Sequence, residues 1–275
     1  MTSDQREKVH LSGVKETLLL TLYDRAADYR SPKPILGDRW AAEVLDGIDG
    51  YNRFKMWLFS ADRYGIVLRA SRLDAWVGAF LVRHPDATVL SLGCGLDSRA
   101  FRLDVPDAVQ WYDVDYPDVV ELRRRLYPRR DNYHLISSSV TEPGWLDEVP
   151  DTGRPVLVVA EGLLPYLARG DVERLLARIT ERFVYGEMVF DVIGVPGWWL
   201  KPVPFDMWAG PDPHELERMN PRLTLLDDAP VMADYRRIPS RVFRAYCGLL
   251  NAFPQLRTSL WLLRFRFGPP ERERT

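Results

Sequence analysis

Between residues 88 and 193 the chain alternates short apolar runs with segments of helical spacing, and this rhythm limits the fold more than any other feature. Residues 88–92, 109–114, 133–137, 155–160 and 187–193 read as strands. Pro117 opens a helix over 118–126, a short helix is expected over 145–149, and Gly170-Asp171 is the expected cap of a helix with Val172, Leu175, Leu176, Ile179 and Phe183 on one face. Strands joined through helices pair in parallel and bury both faces of their sheet under right-handed crossovers. Residues 223–226 and 259–267 read as closing strands, with a helix over 241–252 between them. The fold class is therefore α/β.

Upstream, Val14, Thr17, Leu18, Leu22, Ala26 and Tyr29 fall near helical spacing until Ser31-Pro32 and Pro34 stop the helix. Gly37-Asp38 caps a second helical patch over 39–45. Residues 52–80 carry apolar side chains over several turns, with Gly65 as a break and a last helix over 66–83. This divides the chain into an N-terminal helical cap, 1–84, and a core, 85–275. Within the core, 194–220 interrupts the rhythm after the fifth strand. Five prolines between Gly194 and Pro213 accompany Trp198, Trp199, Phe205, Met207 and Trp208, and 214–219 looks helical. A long aromatic loop after a strand's carboxyl end suits a lid over an acceptor.

Charge and composition exclude several classes. A net charge of -2 argues against a nucleic-acid partner. Cys94 and Cys247 form no metal-ligand spacing with His10, His84, His134 and His214, so neither a metal nor a disulfide is expected. No apolar run is long enough for a membrane span or a signal peptide, and a cytoplasmic protein is expected.

Ligands of an open parallel sheet bind at the carboxyl ends of its strands. The first strand ends in Gly93-Cys-Gly95 with Asp97 close behind, a turn in which glycine lets a ligand approach the backbone. Ser98 and Ala100 stand where a dinucleotide fingerprint would place its third glycine, which argues against a nicotinamide oxidoreductase. The second strand offers Asp113 and Asp115, either of which could accept two ribose hydroxyls or cap a helix. The third offers Ser138, Ser139 and Val140 for an adenine edge. The fourth ends in Glu161-Gly162, where the carboxylate could hold an amine, hydroxyls or a neighbouring arginine.

Taken together, Gly93-Cys-Gly-Leu-Asp-Ser-Arg99, the Val-Asp-Tyr-Pro of 114–117 and the Ala-Glu-Gly-Leu-Leu-Pro-Tyr-Leu of 160–167 resemble the leucine carboxyl methyltransferase family. The nearer likeness is to its bacterial branch, the tetracenomycin polyketide O-methyltransferase type, and Val14-Lys-Glu-Thr17, Arg25-Ala26 and Glu187-Met-Val-Phe-Asp191 fit that branch as well. The resemblance runs from about Val14 to Asp228 and implies a class I, Rossmann-like methyltransferase: a seven-stranded, mostly parallel sheet ending in an antiparallel hairpin. It implies S-adenosylmethionine (SAM) as methyl donor and S-adenosylhomocysteine as product. Carried over by position, Arg69 would hold the cofactor's carboxylate, Gly93 and Gly95 would admit its methionine part, and Asp115 would take the ribose hydroxyls. Glu161, with Gly162 beside it, would line the methionine side. Where the leucine carboxyl methyltransferases have Asp-Leu for adenine, this chain has Ser139 and Val140, so that contact is made differently and a protein-phosphatase substrate is not implied.

The expected function is O-methylation of a carboxylate or phenolic hydroxyl on a small polyketide-like or aromatic acceptor, held by Trp198, Trp199, Phe205 and Trp208. A carboxylate acceptor needs no general base. For a phenol, Tyr166 and His214 are the candidate catalytic groups, with Glu161 as a third. The rival reading, from another class, is a SAM-binding protein that transfers no methyl group and serves a biosynthetic pathway as partner or scaffold.

Overall fold

The first strand, Thr88–Leu92 (β1), is buried at every residue and lies third in a seven-stranded sheet. The computed structural model describes residues 7–8, 16–49, 56, 63–194, 212–257 and 259–269. Its other sheet strands are Gln110–Asp115 (β2), Tyr133–Ser137 (β3), Val156–Ala160 (β4), Gly186–Val192 (β5), Leu223–Pro230 (β6) and Trp261–Phe267 (β7). They lie in the order β3-β2-β1-β4-β5-β7-β6, with β1 to β5 parallel and β7 antiparallel to both its neighbours. The chain winds outward through β2 and β3, then returns to place β4 on the other side of β1. That reversal opens a crevice at the strand ends. Ser91 pairs with Val159, so Gly93 and Glu161, two residues further along each strand, leave the sheet side by side.

Period-two alternation sends successive side chains to opposite faces. Val89, Leu157, Val159 and Val189 join one apolar cluster, while Leu90, Val158, Met188 and Phe190 join the other. Three helices cover the first face: Glu16–Tyr29 (α1), Arg39–Asp46 (α2) and Arg63–Arg83 (α3). Asp38 caps α2 as expected, accepting from Ala41 N at 3.0 Å. Gly65, the expected break, instead lies buried in the first turn of α3.

Beyond β1 come Arg99–Arg102 (α4), Pro117–Leu126 (α5) and Arg169–Arg182 (α6). Pro117 stands in the first turn of α5, where a missing N–H costs nothing. The apolar face of α6 is the expected one and fills the second cluster, but its N-cap is Ala168, so Gly170-Asp171 falls inside the first turn. Pro213–Met219 (α7), Arg241–Asn251 (α8) and Pro254–Arg257 (α9) follow among the described residues, with 3-10 turns at Gly144–Glu148, Leu164–Tyr166 and Val231–Arg237. A two-residue parallel pair, Glu7–Lys8 with Ile48–Asp49, was not foreseen from the sequence. No described helix is long and apolar enough to cross a membrane. Trp198, Trp199, Phe205 and Trp208 lie outside the described residues.

Candidate functional site at the strand ends

A cavity of about 730 Å³ lies over the carboxyl ends of the central strands, walled by residues from α1, α3, the turns after β1, β2 and β4, and the end of β5. The turn after β1 sets its floor. Gly93 and Gly95 have φ of 59° and 50°, a region that side chains with a Cβ disfavour. A Cβ on Gly93 would also stand 2.8 Å from Leu163 Cδ1. Gly95 N donates to Asp115 Oδ2 at 2.7 Å, and Tyr116 N donates to Oδ1 at 2.7 Å, so one carboxylate ties together the turns after β1 and β2. Burial pushes the Asp115 carboxyl up, against the pull of these two N–H groups.

What lies beneath the turn distinguishes Asp113 from Asp115 in position. Asp113 is 2% exposed and is held by Arg123, Tyr133 Oη at 2.5 Å and Trp111 Nε1 at 2.9 Å. Arg123 also donates to the carbonyls of Gly95 and Asp97, both at 2.8 Å. Asp113 thus braces the turn from within the protein, and Asp115 is the carboxylate on the cavity wall.

Across the crevice, Glu161 gathers arginines from three helices. Its Oε1 accepts from Arg25 of α1 at 2.8 Å and Arg69 of α3 at 3.1 Å, and its Oε2 accepts from Arg99 of α4 at 2.6 Å. Asp97 accepts from Arg25 at 2.9 Å, from Arg99 at 2.6 Å and from Arg102. Behind them Asp74 takes Arg99 at 2.7 Å and Arg102 at 2.8 Å. Asp191 on β5 accepts from Arg69 at 3.2 Å and from Gly162 N at 2.6 Å. Burial alone would push the Glu161 carboxyl up, but Arg25, Arg69 and Arg99 overcome it and hold it at about 2. In the same way Arg102, Arg99 and Arg25 overcome burial at Asp97 and keep it well below the usual carboxylate range. Such a network is stable only while complete, because removing one member strands a buried charge.

Two donors of this network stay available. Arg25 Nε is buried with no hydrogen-bond partner. Arg69 Nη2 stands 3.4 Å from where a Cβ on Gly162 would be, and takes part in neither of the two hydrogen bonds described for that side chain. Tyr166 lines the apolar side of the cavity with Leu20, Ile66, Leu163, Leu167 and Ile193. Burial raises its phenol above the ordinary value, against Arg69 and a hydrogen bond with Thr17.

The fold therefore brings together Arg69, Gly93, Gly95, Asp97, Asp115, Glu161, Gly162 and Tyr166. It does not bring Ser139, Val140 or His214 to the cavity. Ser139 bonds Thr141 Oγ1 at 2.8 Å, and Val140 is buried in the second apolar cluster. His214 is exposed near the start of α7, where its Nδ1 lies 2.7 Å from Glu217. An Asp-Pro-His sequence opening a short surface helix explains it as a helix-terminus residue. Arg25, Arg99 and Asp191 belong to the wall without having been singled out for it. For Arg99 the spacing Asp97-x-Arg99 was the local signal, since it sets a carboxylate and a guanidinium within one turn of each other.

With the geometry in place, comparison with known proteins gives consistent results. Residues 19–180 match the model of the family described as leucine carboxyl methyltransferase. The chain is 45% identical to the tetracenomycin polyketide synthesis O-methyltransferase TcmP of Streptomyces glaucescens, over 95% of this chain and 99% of that protein. It is 39% identical to the S-adenosyl-L-methionine-dependent methyltransferase dpfgK of Gibberella zeae, over 84% and 87%. In fold, it is similar to a crystal structure described as a methyltransferase from Thermobifida fusca, with a TM-score of 0.58, 15% identity, and coverage of 90% and 94%. The mostly parallel seven-stranded sheet is that of class I SAM-dependent methyltransferases.

Proposed function

Since the chain belongs to the leucine carboxyl methyltransferase family and is a SAM-dependent methyltransferase, we propose that it methylates an oxygen of a small aromatic, polyketide-like acceptor, and that this oxygen is a carboxylate. The observation that carries the acceptor class is the near full-length likeness to the tetracenomycin O-methyltransferase.

The residues of the cavity fit the cofactor. Its charged walls are Arg25, Arg69 and Arg99 against Asp97, Asp115, Glu161 and Asp191, one carboxylate in excess, which complements a ligand of net charge +1. Bound there, SAM supplies a methyl group made electrophilic by its sulfonium. Arg69, with the orphaned Arg25 Nε beside it, offers guanidinium donors for a carboxylate. Gly93 and Gly95 let the ligand lie against bare backbone. Asp115 keeps lone pairs for hydroxyls beyond its two N–H bonds.

The same wall supports a carboxylate over a phenol. A phenol needs a group to take its proton, but of the expected candidates His214 lies away from the cavity, Glu161 is held at about 2 with both oxygens engaged, and the raised Tyr166 keeps its own proton at neutral pH, while Asp115 and Asp191 are each held at both oxygens by N–H donors. A carboxylate is already a nucleophile, so these residues have only to align it. Tyr166 then acts as a donor to the acceptor, and alignment can remove roughly 7 kcal/mol or more of barrier. On sequence grounds we assign Trp198, Trp199, Phe205 and Trp208 to acceptor binding.

Transfer from labelled SAM to matched aromatic carboxylic acids and phenols tests this reading, with product esters separated from ethers by their lability in base. Esters alone are expected. Ethers alone would overturn the choice of carboxylate. Tight SAM binding with no transfer to any acceptor would favour the scaffold reading. SAM titration of Asp115→Ala and Arg69→Ala tests the site itself, and each is expected to weaken binding about tenfold or more, the worth of one charge-assisted hydrogen bond.

A further inference from the structure

α8 carries two apolar stripes, and the described fold covers one. Phe243 packs edge-on to Tyr64 at 5.3 Å, and Cys247 is buried. On the next face Val242, Tyr246 and Leu249, with Phe253 just past the helix, are 79%, 57%, 60% and 51% exposed. The first three align along roughly 10 Å of helix and Phe253 follows in the turn beyond it, with on the order of 400 Å² of apolar surface open to water. Scattered apolar residues on a surface need no explanation, whereas a contiguous stripe of this size is often functional.

The charge of α8 and the segments on either side of it says what kind of contact. From Tyr235 to Arg257 the chain holds Arg236, Arg237, Arg241, Arg244 and Arg257 and no Asp or Glu, in a protein of net charge -2. Asp234, just before, is taken by Arg72 at 2.7 Å. Among the described residues none of the five arginines pairs with a carboxylate. Arg237 donates to Ser71 Oγ at 2.9 Å and the Ile35 carbonyl at 3.1 Å, and Arg244 donates to the Ile238 and Pro239 carbonyls at 2.8 and 3.2 Å. Neutral acceptors fix where these guanidiniums stand and leave their charge unanswered.

We propose that this face docks an acidic protein partner through an amphipathic helix, whose apolar side meets Val242, Tyr246, Leu249 and Phe253 while its carboxylates meet Arg241 on α8 and the exposed arginines of the segments that adjoin the helix. A second copy of the chain fits worse, since a two-fold contact would oppose the same arginines and the stripe falls short of the roughly 800 Å² per partner of a stable dimer. An anionic membrane also fits worse, because Arg237 and Arg244, fastened to backbone carbonyls, cannot follow mobile headgroups. No residue of α8 lines the strand-end cavity, so the proposal stands independently of the acceptor reading.

The probe is a labelled synthetic helical peptide with leucines at three- and four-residue spacing and glutamates on its other faces, compared with the same peptide carrying lysine for glutamate. Saturable, salt-sensitive binding of the glutamate peptide alone is expected. Leu249→Asp and Tyr246→Asp should each weaken it about tenfold or more, as loss of a central contact does, with thermal unfolding and SAM affinity unchanged. Arg237→Glu and Arg241→Glu should weaken it several-fold and flatten its salt dependence. Equal binding of both peptides, no binding, or no effect of Leu249→Asp overturns the proposal. So does a dimer in sedimentation that Leu249→Asp abolishes, or tighter binding to phosphatidylglycerol vesicles than to the peptide.

Discussion

Arginine is used in two opposite ways in this molecule. Around the strand ends Arg25, Arg69, Arg99 and Arg102 are at most 12% exposed in their side chains, and each is bonded to carboxylates. Along α8 and the turn before it, Arg236, Arg237 and Arg241 are exposed, with no carboxylate partner among the described residues. A buried, matched guanidinium is structural first: it was desolvated when the chain folded, and its removal leaves stranded anions. An exposed, unmatched one contributes little to folding, and its charge is still available to a ligand.

The largest departure between the two sets is expected at Arg99, which is 1% exposed and bonded to Asp74, Asp97 and Glu161. Arg99→Ala should cost about 3–5 kcal/mol in urea unfolding, as breaking a buried ion pair does. A loss below 1 kcal/mol would show that the network carries no such penalty.

Glu161→Gln keeps the volume but removes the charge, and about 1–3 kcal/mol should be lost at neutral pH. Because the folded carboxyl sits at about 2 against an ordinary 4.5, its contribution is complete above about pH 4.5 and disappears as pH falls towards 2. Unfolding curves of wild type and variant should therefore converge across that window. A gap that stays constant with pH would mean that charge is not what Glu161 contributes.

Gly93→Ala combines a positive φ with the contact to Leu163 and should cost about 1–2 kcal/mol. SAM affinity, read by calorimetry, should fall with it. At the other extreme, Arg241→Gln should leave unfolding within about 0.5 kcal/mol of wild type. A larger loss there would place Arg241 with the structural set.

The contrast also explains what the sequence could announce. Strands such as Thr88–Leu92 and Tyr133–Ser137 fell where expected because their signal is local: a short apolar run between turn residues. The glycines at 65 and 170 misled because each is tolerated inside a helical turn when neighbouring residues hold the helix. Asp113 and Asp115 are two residues apart on one strand, so periodicity gives them the same face. Only the end of the strand separates the buried brace from the cavity wall. The ion network was hidden for a different reason. Arg25 meets Asp97 and Glu161 across 72 and 136 residues, and Arg69 meets Glu161 and Asp191 across 92 and 122. A carboxylate at a strand end could be recognised, but no local pattern says which distant guanidinium will arrive.

Those same separations bear on how the protein is made. Glu161 joins α1, α3 and α4, and Asp191 on β5 fixes both Arg69 and the Gly162 amide. A ribosome-bound chain that has emerged only through β3 has the glycine turn and Asp115, but the far wall is still unsynthesised. Until Glu161 emerges behind β4, Arg25 and Arg99 have Asp97 without it, and Arg69 lacks Glu161 and, until β5 follows, Asp191. The capacity to hold SAM thus arises late in synthesis and all at once, and truncated products should neither sequester the cofactor nor be stabilised by it.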